Sequence, residues 1–209
     1  RKCWECHRET PHGTINSLPL DYSNNGGGSY STWIATTPGM TGKWTGTVPD
    51  YIGNNNIRFK ALDVLDMSRP DESAANFTIK GKLILQTPTT AVAWPVETNQ
   101  NITWDYTGTL GNILIEYTTD NFGSTIPIAT VAASARTRSW NIPDNITSTA
   151  KVRISTVTAE ASVPSQSPVN FKIVGVLEVT SPTAASRWEV GVPATINWNV
   201  TGSIANVRI

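Results

Sequence analysis

Residues 76–115, "NFTIKGKLILQTPTTAVAWPVETNQNITWDYTGTLGNILI", lie over residues 170–209, "NFKIVGVLEVTSPTAASRWEVGVPATINWNVTGSIANVRI", without a gap at an offset of 94 (170 − 76), and sixteen of the forty positions are identical. Self-similarity over such a length means copies of one structural unit, so the repeat restricts the architecture before any strand or helix is assigned. The matches include Phe77 with Phe171, Gly81 with Gly175, Pro88 with Pro182, Trp94 with Trp188, Trp104 with Trp198, and Gly108 with Gly202. The same offset carries "VPD" at Val48 onto "IPD" at Ile142, while "NIRFKALD" around Ile57 meets "KVRISTVT" around Val152 one residue later. Residues 81–174 therefore read as one whole unit, residues 14–80 as the second half of a unit before it, and residues 175–209 as the first half of a third.

Within the whole unit, "KLILQ", "NITWDY", "NILIEY", "KVRIST" and "VNFKIV" are short runs rich in β-branched and aromatic residues. Turn formers such as "TGTLG", "DNFG" and "IPDN" separate them. No window of ten or more residues places apolar side chains at helical spacing. The expected fold class is all-β, with antiparallel strands at sandwich-like intervals. A unit of this size with a Trp on an early strand resembles the immunoglobulin-like or fibronectin-like modules strung along bacterial surface proteins, and the resemblance covers residues 14–209. It implies tandem β-sandwich domains with Trp104 and Trp198 as core residues between two sheets. A disulfide inside a sandwich is excluded, since no Cys follows residue 6.

Charge narrows the partners. Lys plus Arg and Asp plus Glu are 16 each, so no basic field exists to hold nucleic acid. Only 15% of residues are charged, while Thr, Ser and Asn abound, a balance that suits secreted or surface β-proteins. Apolar runs such as "KLILQ" fall far below the roughly 20 residues of a membrane-spanning helix. The chain begins at Arg1, with no initiator Met and no signal-like segment, and "GSIANVRI" stops inside an apparent strand; the expectation is a piece of a longer polypeptide.

Both cysteines and both histidines lie in the opening "RKCWECHRETPHG". "CWECH" fits C-x-x-C-H, the attachment signature of c-type haem. Two thiols at that spacing reach the two vinyl groups on one edge of a porphyrin, and the next residue brings an imidazole beneath the iron. Cys3 and Cys6 would carry the thioethers to haem c, and His7 would be the proximal ligand. Two other uses of the cluster stay open. The Cys pair could close a disulfide, although the βαβ setting of a redox CxxC is missing. Cys3, Cys6, His7 and His12 could also hold zinc, although zinc sites usually separate their ligand pairs by a stretch of scaffold. His12 would be a distal ligand. The five residues from His7 span at most about 17 Å when extended, which strains a path round the rim of the same haem, so a neighbouring haem is the better acceptor of His12.

"CWECHRETPHG" resembles the "CxxCH…TPHG" stretches of bacterial multihaem c-type cytochromes, over residues 3–13 only. The resemblance implies that Cys3, Cys6 and His7 bind one haem and that His12 serves another, in the same polypeptide or an adjacent subunit. This chain departs from the family in showing a single CxxCH motif. The segment also falls in repeat register where "VETNQNITWDYTGTLGN" lies in the whole unit, and it has no counterpart of Trp104. The first sandwich is thus expected to be short of strands or completed by another segment.

Other candidates are weaker. Asp63, Asp66, Asp71 and Glu72 surround the turn "DVLDMSRPDES", for which a solvated loop outranks a cation site. Asp120 and Gly123 in "TTDNFGST" read as turn residues. Asn76, Asn101, Asn145 and Asn199 stand in glycosylation-acceptor triplets that an Asn- and Thr-rich chain produces freely. Trp33 and Trp44 could stack on sugars, with core packing the preferred assignment. With both histidines in the front cluster, no Ser-His-Asp constellation is available, and an enzyme is not expected. The expected function is extracellular or periplasmic electron transfer through haem c, with residues 1–13 as the attachment segment and the sandwiches as stalk or sheath, in an assembly that could be a homopolymer. The rival is a non-redox surface or adhesion protein with a disulfide or zinc clip at its front.

Overall fold

The computed structural model describes residues 17–38, 43–52, 55–63, 70–158 and 162–208. It forms two compact units, Arg1–Ile79 and Lys80–Ile209, and no α-helix occurs among the described residues. The all-β, tandem-sandwich class expected from the repeat is the class observed.

The first unit contains strands β1 (Ser17–Ser23), β2 (Ser31–Pro38), β3 (Arg58–Ala61) and β4 (Asp71–Glu72). They form one antiparallel sheet in the order β2-β1-β3-β4. The second unit runs β5 (Gly81–Thr87), β6 (Ala93–Pro95), β7 (Asn99–Thr107), β8 (Asn112–Thr118), β9 (Ile126–Ala132), β10 (Thr137–Asn141), β11 (Thr147–Thr156), β12 (Ser162–Val163), β13 (Ser165–Gln166), β14 (Phe171–Val174), β15 (Val176–Ser181) and β16 (Asn197–Thr201). Sheet β10-β7-β5-β12 faces sheet β6-β14-β11-β8-β9, with β13 also on β11, and β15-β16 is a separate hairpin.

Alternation in the sequence produces this layering. In β5 Leu83 and Leu85 are buried while Lys82 and Gln86 are exposed; in β7 Ile102 and Trp104 turn inward, and in β11 Ala150, Val152 and Ile154 do so. Period-two patterning sends each such set to one face, where it meets the opposing sheet. Each fully buried Leu, Ile or Val contributes about 1.5–3 kcal/mol. Trp104 is the largest fully buried side chain. Its indole N–H donates to the Ala133 carbonyl at 2.8 Å, so the ring fills the core without leaving its one donor unpaired. Ala133 opens a short 3-10 turn that closes on Arg136 in the left-handed region, and Arg136 returns a backbone carbonyl to the Trp104 N–H at 3.1 Å.

Strand pairings repeat between units as faithfully as residues do. Hairpin β5-β7 pairs Leu83 with Tyr106 and Leu85 with Trp104; hairpin β15-β16 pairs Leu177 with Val200 and Val179 with Trp198, each 94 residues on and with the same register break after Leu85 and Val179. Gly108 and Gly202 end the two hairpins at φ +91 and +87, where a side chain would be strained. The sheet β2-β1-β3-β4 reproduces β9-β8-β11-β13. Leu20 faces Ala61 and Tyr22 faces Phe59, as Ile115 faces Ile154 and Tyr117 faces Val152. One detail of the sequence alignment is corrected here: the ladder puts Phe59, not Ile57, in the place of Val152. The slip is two residues, which keeps the same side chains on the same face.

A polar pair repeats with the ladder. On β8 and β11 Glu116 sits opposite Arg153, whose Nε and Nη2 both donate to Oε1 at 2.8 and 2.6 Å, with the guanidinium 4.6 Å above the Phe122 ring. On β1 and β3 Asp21 sits opposite Lys60 at 3.9 Å, with the ammonium 4.1 Å above Tyr30. The Lys version is a point-charge contact without the planar fork that lets Arg donate twice.

Residues 43–47 form no strand, although they occupy the repeat position of β10. In the whole unit β10 hydrogen-bonds only to β7. The repeat position of β7 in the first unit falls on residues 5–13, outside the described residues.

Replacing Trp104 by Phe is expected to destabilise the Lys80–Ile209 unit by about 2–3 kcal/mol, combining lost volume with loss of the buried indole hydrogen bond to the Ala133 carbonyl, which keeps only the longer bond from the Arg136 N–H. Trp198→Phe, at the same repeat position but half-buried, should shift the urea midpoint far less. Equal shifts for the two variants would contradict this assignment of the core.

Candidate functional site

The residues singled out for haem, Cys3, Cys6, His7 and His12, lie outside the described residues. Among the described residues no group of three or more His, Cys, Asp or Glu side chains is placed to hold a metal ion. The weaker acidic candidates are accounted for locally. Asp71 and Glu72 form β4 against Ala61 and Lys60, and Glu72 pairs with Arg58 at 3.6 Å. Asp66 is outside the described residues, and Asp63 lies in the half-buried stretch after β3. Of the glycosylation-like triplets, three use their amide in the fold: Asn76 accepts from Arg58 Nε at 2.7 Å, Asn145 donates to the Tyr117 hydroxyl at 2.7 Å, and Asn199 Nδ2 donates to Glu178 Oε2 at 3.5 Å. Asn101 and Asn199 are exposed on β7 and β16.

Asp120 is a turn residue, as read from the sequence, and the turn is built twice. Thr118 Oγ1 donates to Asp120 Oδ1 at 2.6 Å and accepts the N–H groups of Asp120 and Phe122 at 3.1 Å each. Ser124 closes the loop onto the same carboxylate, N–H to Oδ1 at 3.0 Å and hydroxyl to Oδ2 at 2.6 Å. In the first unit Ser23, Asn25 and Ser29 do the same, with Asn25 Nδ2 donating to Ser29 Oγ at 2.9 Å where the carboxylate accepts. The carboxylate is thus spent on backbone and hydroxyl donors, which leaves the turn a local device for joining two strands.

The described residues do form one apolar concavity in the first unit. Leu20, Trp33, Trp44, Thr45, Gly46, Val48 and Phe59 line an open groove of about 440 Å³. Trp33 stacks on Phe59 with ring centroids 4.9 Å apart and meets Trp44 edge-on at 4.6 Å, while Phe59 packs on Phe77 at 5.0 Å. Both Trp side chains are half-buried. The aromatic row lies on the face of β1 and β3 that, in the whole unit, packs against the opposite sheet. Sequence reasoning assigned Trp33 and Trp44 to a core; they line the open side of one. What could have signalled the groove is the absence of a Trp104 counterpart before β1.

These features define a protein of repeated β-sandwich domains whose described part is a scaffold of sheets and tight turns. No protein-family model matches the chain, and no curated protein matches it. Among solved structures, the chain is similar to one described as "Structures of Clostridium thermocellum CbhA fibronectin(III)-like modules", at 14% identity and a TM-score of 0.33, over 78% of this chain and 80% of that chain.

Hydrogen bonds from the Ser124 hydroxyl and N–H, and from the Thr118 hydroxyl, lower the Asp120 pKa from 3.8 to about 2. A depressed carboxylate stabilises the fold above its ordinary value and loses that contribution as pH falls through about 2. Carboxyl NMR titration of Asp120 should therefore give a midpoint near 2, and Asp120→Asn should keep the hairpin while removing its pH dependence in that window, because Asn25 already builds the same turn. A titration at the ordinary Asp value would contradict the hydrogen-bonded geometry.

Proposed function

We propose that the β-sandwich repeats are the structural part of a surface or extracellular protein, spacing or displaying what precedes them, and that residues 1–13 make it an electron carrier by tethering a c-type haem. The scaffold half of this reading is supported by a fold in which the polar side chains discussed above are engaged in turns, cross-strand pairs and strand ladders. The redox half is carried by one observation, the sequence CWECH at residues 3–7, in which two thiols and an imidazole stand at the spacing of haem attachment. In this reading Cys3 and Cys6 form thioethers, His7 is the proximal ligand, and His12 ligates a haem of a neighbouring segment, in the same polypeptide or an adjacent subunit. A haem held through Cys3, Cys6 and His7 would supply single-electron exchange, and catalysis is not part of the role.

The second reading, a non-redox structural or adhesion protein with a disulfide or zinc clip at its front, is favoured by the extent of the repeat, which accounts for residues 14–209 without any cofactor. Denatured protein distinguishes the two. A Soret band that survives unfolding, and a peptide mass for the Cys3–Cys6 segment increased by one haem, are expected. Free thiols, a disulfide or bound zinc in that peptide would remove electron transfer and leave the scaffold. Cys3→Ala with Cys6→Ala should abolish the band. His12→Ala should turn one haem of the assembly high-spin while the haem bound through Cys3 and Cys6 stays attached.

A further inference from the structure

Asn25 and Gly26 are the one Asn–Gly pair in the sequence, and they sit in the turn between β1 and β2, where Asn25 is exposed. Such a pair is chemically labile. The backbone nitrogen of the following residue can attack the Asn side-chain carbon, and glycine has no side chain to obstruct the approach. The turn around the pair is the one that Asp120 builds in the whole unit, at an offset of 95 (120 − 25). Asn25 Oδ1 accepts from Ser23 Oγ at 2.7 Å and from the Ser29 N–H at 2.9 Å, as Asp120 Oδ1 accepts from Thr118 and Ser124. The second side-chain atom is where they differ. Asn25 Nδ2 donates to Ser29 Oγ at 2.9 Å, whereas Ser124 Oγ donates to Asp120 Oδ2 at 2.6 Å. A carboxylate at position 25 therefore fits the turn once the Ser29 hydroxyl rotates its hydrogen.

We propose that Asn25 is a self-modification site: it loses ammonia to a succinimide closed by the Gly26 nitrogen, and the turn selects aspartate as the hydrolysis product. The steps balance. The Gly26 nitrogen bonds to Asn25 Cγ and gives up its proton, the side-chain nitrogen leaves as ammonia, and water opens the ring. Attack of water at Cγ breaks the new Cγ–N bond and leaves aspartate in an ordinary main chain. Attack at the Asn25 carbonyl carbon breaks the original peptide bond and leaves isoaspartate, with the chain running through Cγ. Isoaspartate lengthens the main chain by a methylene and shortens the arm of the carboxylate, so its oxygens lose their reach to Ser23 and Ser29. Aspartate restores every bond of the turn. Because isoaspartate can close again to the same ring, repeated opening moves the population towards the product that the fold holds. The closed turn itself is protected. Gly26 N–H donates to the Asn56 carbonyl at 2.8 Å, Gly27 N–H donates to Ser23 Oγ at 2.9 Å, and the carboxamide is held at both ends. The reaction therefore runs through local opening, which the run Gly26, Gly27, Gly28 favours by its backbone freedom.

Mass and stability read the outcome, and neither depends on a haem. The full chain held folded in mildly alkaline buffer should gain about one dalton, NH2 replaced by OH, confined to the peptide that contains Asn25. Fragmentation that separates the isomers should show a higher ratio of aspartate to isoaspartate than in the same chain kept unfolded in urea. Asn25→Asp should fold with a urea midpoint at or above that of the wild type, its new carboxyl titrating well below the usual carboxylate range as Asp120 does. Ser23→Ala removes the hydroxyl that holds the carboxamide and two backbone N–H groups. It should speed the mass gain at least about fivefold, the effect of one ordinary hydrogen bond on the opening equilibrium. A folded chain without the mass gain overturns the proposal. So does an isomer ratio unchanged by folding, a lowered midpoint in Asn25→Asp, or a rate unmoved by Ser23→Ala.

Discussion

The fold depends on covering one apolar face of a two-stranded hairpin with a second sheet. A hairpin by itself is marginal in water, because ordering its residues costs more than its ladder hydrogen bonds return. Leu83, Leu85, Ile102 and Trp104 become a core only when Ile113, Ile115, Val152, Ile154 and Phe171 lie across from them. Trp104 fixes that packing in position. Its ring lies between the layers while its indole N–H reaches the Ala133 carbonyl in the connection between β9 and β10, tying the hairpin to the loop that crosses from one sheet to the other.

The polar pairs and turns are arranged around that constraint. Glu116 is nearly buried, yet it is matched across the ladder by an arginine that donates twice and lies over an aromatic ring. A carboxylate on this half-covered face is tolerable only with such a partner. The first unit keeps the arrangement with the shorter Asp21 and with Lys60, and its contact is longer. The turns follow the same economy of position: Thr118 and Ser23 hold their loops through one hydroxyl that both donates and accepts, and the acid or amide two residues later gathers the remaining donors. Asp144 extends the pattern between repeats, accepting from the Ser203 N–H at 2.9 Å and its hydroxyl at 2.5 Å, with its pKa lowered by those two bonds.

Much of this was legible in the sequence because it depends on side-chain periodicity. The repeat, the all-β class, strands such as "KLILQ" and "NILIEY", and Trp104 as a core residue all follow from alternation and self-similarity. Strands β9 and β10 were not foreseen: "IPIATVA" carries a proline and small side chains, and "TRSWN" has one inward residue, so their strand character comes from pairing with β8 and β7. The two-residue slip at β3 was invisible because a ladder's register is set by its partner, and an even slip leaves the pattern of inward and outward residues unchanged. The groove at Trp33 and Trp44 was read as core, since a sequence shows that a residue is apolar and not whether the opposing layer is present.

The front segment connects to the same constraint. At an offset of 94 the positions of Ile102 and Trp104 fall on Arg8 and Thr10, so residues 5–13 do not carry the inward pair that β7 supplies. Attachment chemistry points the same way. In an extended strand, residues three apart face opposite sides, so Cys3 and Cys6 could not both reach one porphyrin edge from a strand that also lay in the sandwich. Tethering a haem and completing the first sandwich are therefore mutually exclusive uses of this stretch. If residues 3–7 serve the haem, the aromatic face of β1 and β3 takes its second layer from another segment.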